Sequence, residues 1–141
     1  CFLIRDPKEV IHSYLKKNML NDANDIGFPS QKKIFGLIKK INNNPIVINA
    51  YDLSNNPKKV LKILCKKLNI SFSSKMLKWP LGQRNSDGIW KKIWYQNVER
   101  STNFQKLKKE KINIPSKYQD IYKECLEIFD ELNTYNILNG Q

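Results

Sequence analysis

Arg5 and Ser13 are the side chains best suited to hold an anion. Arg5 directly follows the apolar run Phe2, Leu3, Ile4, which reads as a buried strand, and Asp6 to Tyr14 has the makeup of a helix. A helix that starts at the carboxyl end of a strand turns N–H groups and the positive end of its dipole toward a ligand, the usual phosphate position in open α/β sheets. A guanidinium there makes a two-pronged, charge-assisted contact. Ser13 lies roughly 10 Å further along the axis at 1.5 Å per residue, on the side away from the apolar stripe, where an extended arginine meets it. The competing expectation is local: Arg5 pairs with Asp6 or Glu9, and Ser13 is a surface serine. His12 is the only histidine. It stands between Ile11 and Ser13 with nothing to orient it toward an acceptor hydroxyl, so it is assigned no role as a base.

The elements that must position these groups follow from caps and periodicity. Asp6, Pro7 and Glu9 form a capping box that opens a helix from about Pro7 to Asn18, with Val10, Ile11, Tyr14 and Leu15 as its apolar stripe. Residues 21–29 read as a loop. Ser30 then caps a helix with Ile34, Leu37, Ile38 and Ile41 on one packing face. Ile46, Val47 and Ile48 form a second strand with Tyr51, Asp52 and Leu53 at its far end, and Asn56 and Pro57 start a helix carrying Val60, Leu61, Leu64 and Leu68. Strands separated by helices predict an α/β fold with a parallel sheet flanked by helices. Two strands cannot bury both faces of such a sheet, so N-terminal strands are expected to precede Cys1. Residues 1–141 then read as the C-terminal portion of a single domain. Further on come a short helix around Met76, a Trp-, Gly- and Pro-containing stretch from Trp79 to Phe104, and a last helix from Pro115 whose stripe includes Cys125, Ile128 and Leu132.

Composition narrows the classes. The 141 residues are 40% hydrophobic, which suits a folded domain, and no apolar run is long enough to span a bilayer. Cys1, Cys65 and Cys125 are far apart and never in a CxxC spacing, which points away from a zinc site or a disulfide framework and toward a reducing, cytoplasmic setting. A net charge of +12 raises nucleic acid as a partner. Against it, the basic residues are 22 lysines and three arginines, and most of the lysines are scattered in pairs on polar helix faces. Where lysine is so favoured, the remaining Arg5, Arg84 and Arg100 mark positions that need a planar fork.

The run Arg5, Asp6, Pro7, Lys8, Glu9, Val10, Ile11, His12, Ser13, Tyr14 resembles the RDPxxVxxSY signature of the cytosolic-type sulfotransferases. The later block of Tyr51, Asp52, Leu53, then Asn56 and Pro57, then a helix ending in Leu68, Asn69, Ile70 is similar to that family's YEDL, Pro, helix, Leu-Gly-Ile order. The stretch from Trp79 resembles a bacterial branch with WPxGxRxxDGxW followed by WYxxVxxSTxF. The resemblance implies part of a three-layer, P-loop-NTPase-like fold. It also implies 3′-phosphoadenosine 5′-phosphosulfate (PAPS) as cofactor, with its 3′-phosphate on Arg5 and Ser13 and with Arg84 as a further nucleotide contact. The reaction it implies is in-line transfer of a sulfuryl group to a hydroxyl or amine of a small-molecule acceptor. The family's phosphosulfate loop and catalytic histidine have no counterpart here, so the catalytic groups are expected upstream of residue 1 and this segment alone is expected to be inactive. Trp90, Trp94 and Tyr95 would wall the acceptor pocket or stack on adenine, with packing as the plainer alternative. The competing functional classes are a basic, non-catalytic module for nucleic acid or another polyanion, and a different α/β nucleotide-dependent transferase.

Overall fold

A computed structural model describes residues 1–84, 88, 96–108 and 111–139. The chain divides into two compact units, one of Cys1–Tyr51 with Lys108–Gln141 and one of Asp52–Leu107.

The first unit is mixed α/β. Strand β1 (Phe2–Ile4) runs into helix α1 (Pro7–Leu15) through Asp6, whose side chain accepts from the Lys8 N–H. A 3-10 turn at Ala23–Ile26 and Gly27, with φ of 77°, lead into α2 (Phe28–Ile41), two residues before Ser30. Strand β2 (Val47–Asn49) pairs with β1 in parallel, Phe2 opposite Val47 and Ile4 opposite Asn49, as strands joined through helices should. The far edge of β2 is also used. Val47 forms a parallel bridge with Asn136, and the Ile137 N–H donates to the Val47 carbonyl at 3.0 Å. This contact comes from the segment after the last helix, which carries no strand signal of its own.

The last helix, α6 (Gln119–Asn133), packs against α1, α2 and both strands. Ile4, Phe35, Val47, Cys125, Ile128 and Leu132 form the main core, and Ile11, Leu20 and Ile114 a second cluster beneath α1. Phe35 lies between Phe2 and Tyr135, with edge-to-face ring centroids at 5.3 and 5.0 Å. The packing face expected of α2 is therefore wrong. Phe28 and Phe35, two turns apart, bring more apolar surface to the core than the aliphatic stripe does. Ile34, Leu37, Ile38 and Ile41 are left exposed, Ile41 at 83%.

Tyr51, Asp52 and Leu53 are not the far end of the strand but part of helix α3 (Ala50–Asn55), within which the first unit ends at Tyr51 and the second begins at Asp52. Helix α4 (Pro57–Lys67) follows, then a 3-10 turn (Ser74–Leu77) and a single helical turn, α5 (Gln96–Glu99). Trp79 is a packing residue here: its ring meets Phe104 edge-on at 5.3 Å and its indole N–H donates to the Ser101 hydroxyl at 3.2 Å. Among the described residues no helix is long and apolar enough to cross a membrane.

Candidate functional site

Both parallel strands end at the start of a helix, and each start is closed by the chain's own side chains. Asp6 closes the first. Its Oδ1 accepts the Lys8 N–H at 2.8 Å, its carbonyl accepts the N–H groups of Glu9 and Val10 at 3.1 Å, and Pro7 has no N–H. At the second, the Asn49 side chain accepts the Tyr51 N–H at 2.9 Å, and its amide donates to Asn133 at 3.2 Å. The expected cradle of unpaired N–H groups is therefore absent at α1, because a capping aspartate uses the same donors that an anion would. Any anion held here is held by side chains.

Those side chains are arranged along one ridge. Ile11 is fully buried, and Glu9 and Ser13, two residues before and two after it, stand on the opposite face of the helix. Ser13 is exposed and its hydroxyl makes no hydrogen bond among the described residues. Arg5 donates from Nε to Glu9 Oε2 at 2.7 Å. The local ion pair that competes with the anion reading is thus formed, and with Glu9 rather than Asp6. It also means that Glu9 does not close a capping box, since its carboxylate faces the guanidinium and not the Asp6 N–H. The pair engages Nε alone. Arg5 stays 47% exposed in its side chain, and its terminal N–H donors carry no hydrogen bond to a described residue. Arginine and serine therefore both retain donors on the solvent side of α1, separated by two helical turns.

The other predicted site residues are placed differently. Arg84 belongs to the second unit and is partly buried. It follows the turn at Gly82, whose φ of 92° favours glycine and whose N–H donates to the Glu99 carbonyl at 2.9 Å. Trp90, Trp94 and Tyr95 lie outside the described residues, as does Asp87. His12 is exposed on α1. Among the described residues no group of His, Cys, Asp and Glu side chains is placed to hold a metal ion. The buried Cys125 thiol is pushed up to about 12, first by desolvation and then by the Glu124 charge, so it is no nucleophile at neutral pH. Sequence reasoning missed Asn49, although a strand ending in Asn before Ala-Tyr-Asp carries a readable cap signal.

Two of the three comparisons with known proteins found matches. A family model described as a sulfotransferase domain matches residues 1–133. Among curated proteins, the chain is similar to branched-chain-amino-acid aminotransferase-like protein 2 of Arabidopsis thaliana, at 29% identity over 133 residues, and to protein 1 of that name, at 30% over 133 residues. Each match takes in 94% of this chain and 24% of the relative, so the chain spans about a quarter of the length of these curated relatives. No solved structure gives a significant match.

Proposed function

The chain belongs to the sulfotransferase domain family, and on that premise we propose that it supplies the 3′-phosphate half of a PAPS site in a cytoplasmic sulfotransferase with a P-loop-NTPase-like fold. The observation that carries this reading is the solvent-facing ridge of α1, where the Arg5 guanidinium and the Ser13 hydroxyl keep uncommitted donors beside the carboxyl end of a parallel strand. Both donors suit a phosphate. Arg5 takes two oxygens with its terminal nitrogens, and Ser13 donates one hydrogen bond. PAPS, when bound, supplies an activated sulfuryl group for a hydroxyl or amine of a small-molecule acceptor. The work of these residues is to fix the nucleotide end so that the reacting end is held in one place. The roles of Arg84 as a nucleotide contact and of Trp90, Trp94 and Tyr95 beside the acceptor or the adenine rest on the family resemblance alone.

The test is binding of adenosine 3′,5′-bisphosphate to the full-length protein by calorimetry. Arg5→Ala should weaken it about 10- to 100-fold, the usual worth of a hydrogen bond to a charged group, and Ser13→Ala about fivefold. Equal affinity in all three proteins would remove the assignment.

One observation favours a second reading, a polyanion-binding module. The second unit has a groove of about 550 Å³ lined by Asn55, Asn56, Pro57 and the lysines Lys58, Lys59 and Lys62. That reading expects binding to fall steeply with salt, in proportion to the number of lysines engaged, and to be indifferent to Arg5→Ala.

A further inference from the structure

Glu9 occupies an unexpected place. It stands one turn after Arg5 and one turn before Ser13, so a carboxylate lies between the two residues read as a phosphate clamp. A bare carboxylate there would repel the ligand. It is not bare, however: its side chain is 16% exposed against 47% for Arg5, and it is bonded to the guanidinium Nε at 2.7 Å.

The atom used decides between a competing and a supporting role. A carboxylate that competed with phosphate would occupy the terminal nitrogens, which form the outward fork of the guanidinium. Glu9 occupies Nε, the donor nearest the chain, and leaves the terminal fork uncommitted among the described residues. A long side chain that is free in solution loses rotamer freedom when it binds, and an arginine already held at Nε has lost part of that freedom beforehand.

We propose that Glu9 is a positioning residue that ties Arg5 by its inner nitrogen and presents the outer fork to the 3′-phosphate. The role rests on the clamp reading of Arg5 and Ser13 given above. The charge of Glu9 is offset by the guanidinium lying against it, so what it adds to the site is orientation.

A double-mutant cycle on the full-length protein, with adenosine 3′,5′-bisphosphate as the probe, separates this role from the alternatives. Glu9→Ala should weaken binding about three- to fivefold, the range of an exposed ion pair. Glu9→Gln keeps an oxygen that accepts from Nε and should bind within about twofold of the parent. In an Arg5→Ala background the same Glu9→Ala change should cause no loss, because there is no guanidinium left to orient. A general structural role for Glu9 would give the same loss in both backgrounds and overturns the proposal, as does tighter binding by Glu9→Ala in the parent protein. Parent-like affinity in Arg5→Ala alone is a different outcome: it removes the clamp itself, and the positioning role with it.

Discussion

At the scale of single residues, Asn69 shows how a family pattern is kept while its letter changes. It follows the last turn of α4 with φ of 53°, the only non-glycine residue with positive φ among those described, and the next N–H, of Ile70, donates back to the Cys65 carbonyl at 2.9 Å. This is a left-handed helix stop, the conformation that explains a glycine in the family's Leu-Gly-Ile block and that asparagine tolerates better than other residues with a Cβ. Asn69→Gly should therefore leave stability within about 0.5 kcal/mol or raise it, whereas Asn69→Ala should cost about 1 kcal/mol, both read from urea unfolding midpoints. Equal effects would mean that the backbone conformation is not the constraint. Arg5 is the opposite case. Its position at the strand end was legible from three neighbours in sequence, but its pairing through Nε was not, because the choice between Asp6 and Glu9 depends on which donors the cap has already taken.

At the scale of elements, the order of strands and helices was legible in the sequence, whereas the Glu9 half of the capping box, the Ser30 cap and the packing face of α2 were not. The start of α1 is written in Asp6 and Pro7, and the parallel order of β1 and β2 in the helices that separate them. Helix α2 carries two candidate faces, and periodicity alone favours the longer aliphatic one. The core instead took the two phenylalanines. Phe35→Ala should consequently destabilise the protein by about 3–5 kcal/mol, while Ile41→Ser, on the exposed face, should change stability by less than about 0.5 kcal/mol. Comparable losses in thermal melts of the two variants would place the stripe back in the core. The early end of β2 has a similar cause. Asn49 offers a side-chain oxygen to the Tyr51 N–H, and that local bond turns the chain into α3 before the strand can lengthen.

At the scale of the whole molecule, net charge was the loudest signal in the sequence and the least informative about fold, since the core is built from residues that carry none. Cys125 gives a direct reading of that core. It is fully buried, and its raised pKa keeps it a neutral thiol across the physiological range. In native buffer a water-soluble disulfide reagent should modify exposed Cys1 within minutes and leave Cys125 unmodified, whereas under denaturing conditions Cys125 should react as fast as an ordinary thiol. Rapid labelling of Cys125 in the folded protein, located by peptide mass, would show that the core opens locally. The bridge between Val47 and Asn136 bears on how the protein is made. At the usual elongation rate, roughly 5–20 s separate synthesis of the two partners, and a chaperone that covers the nascent β2 edge must hold it for that interval.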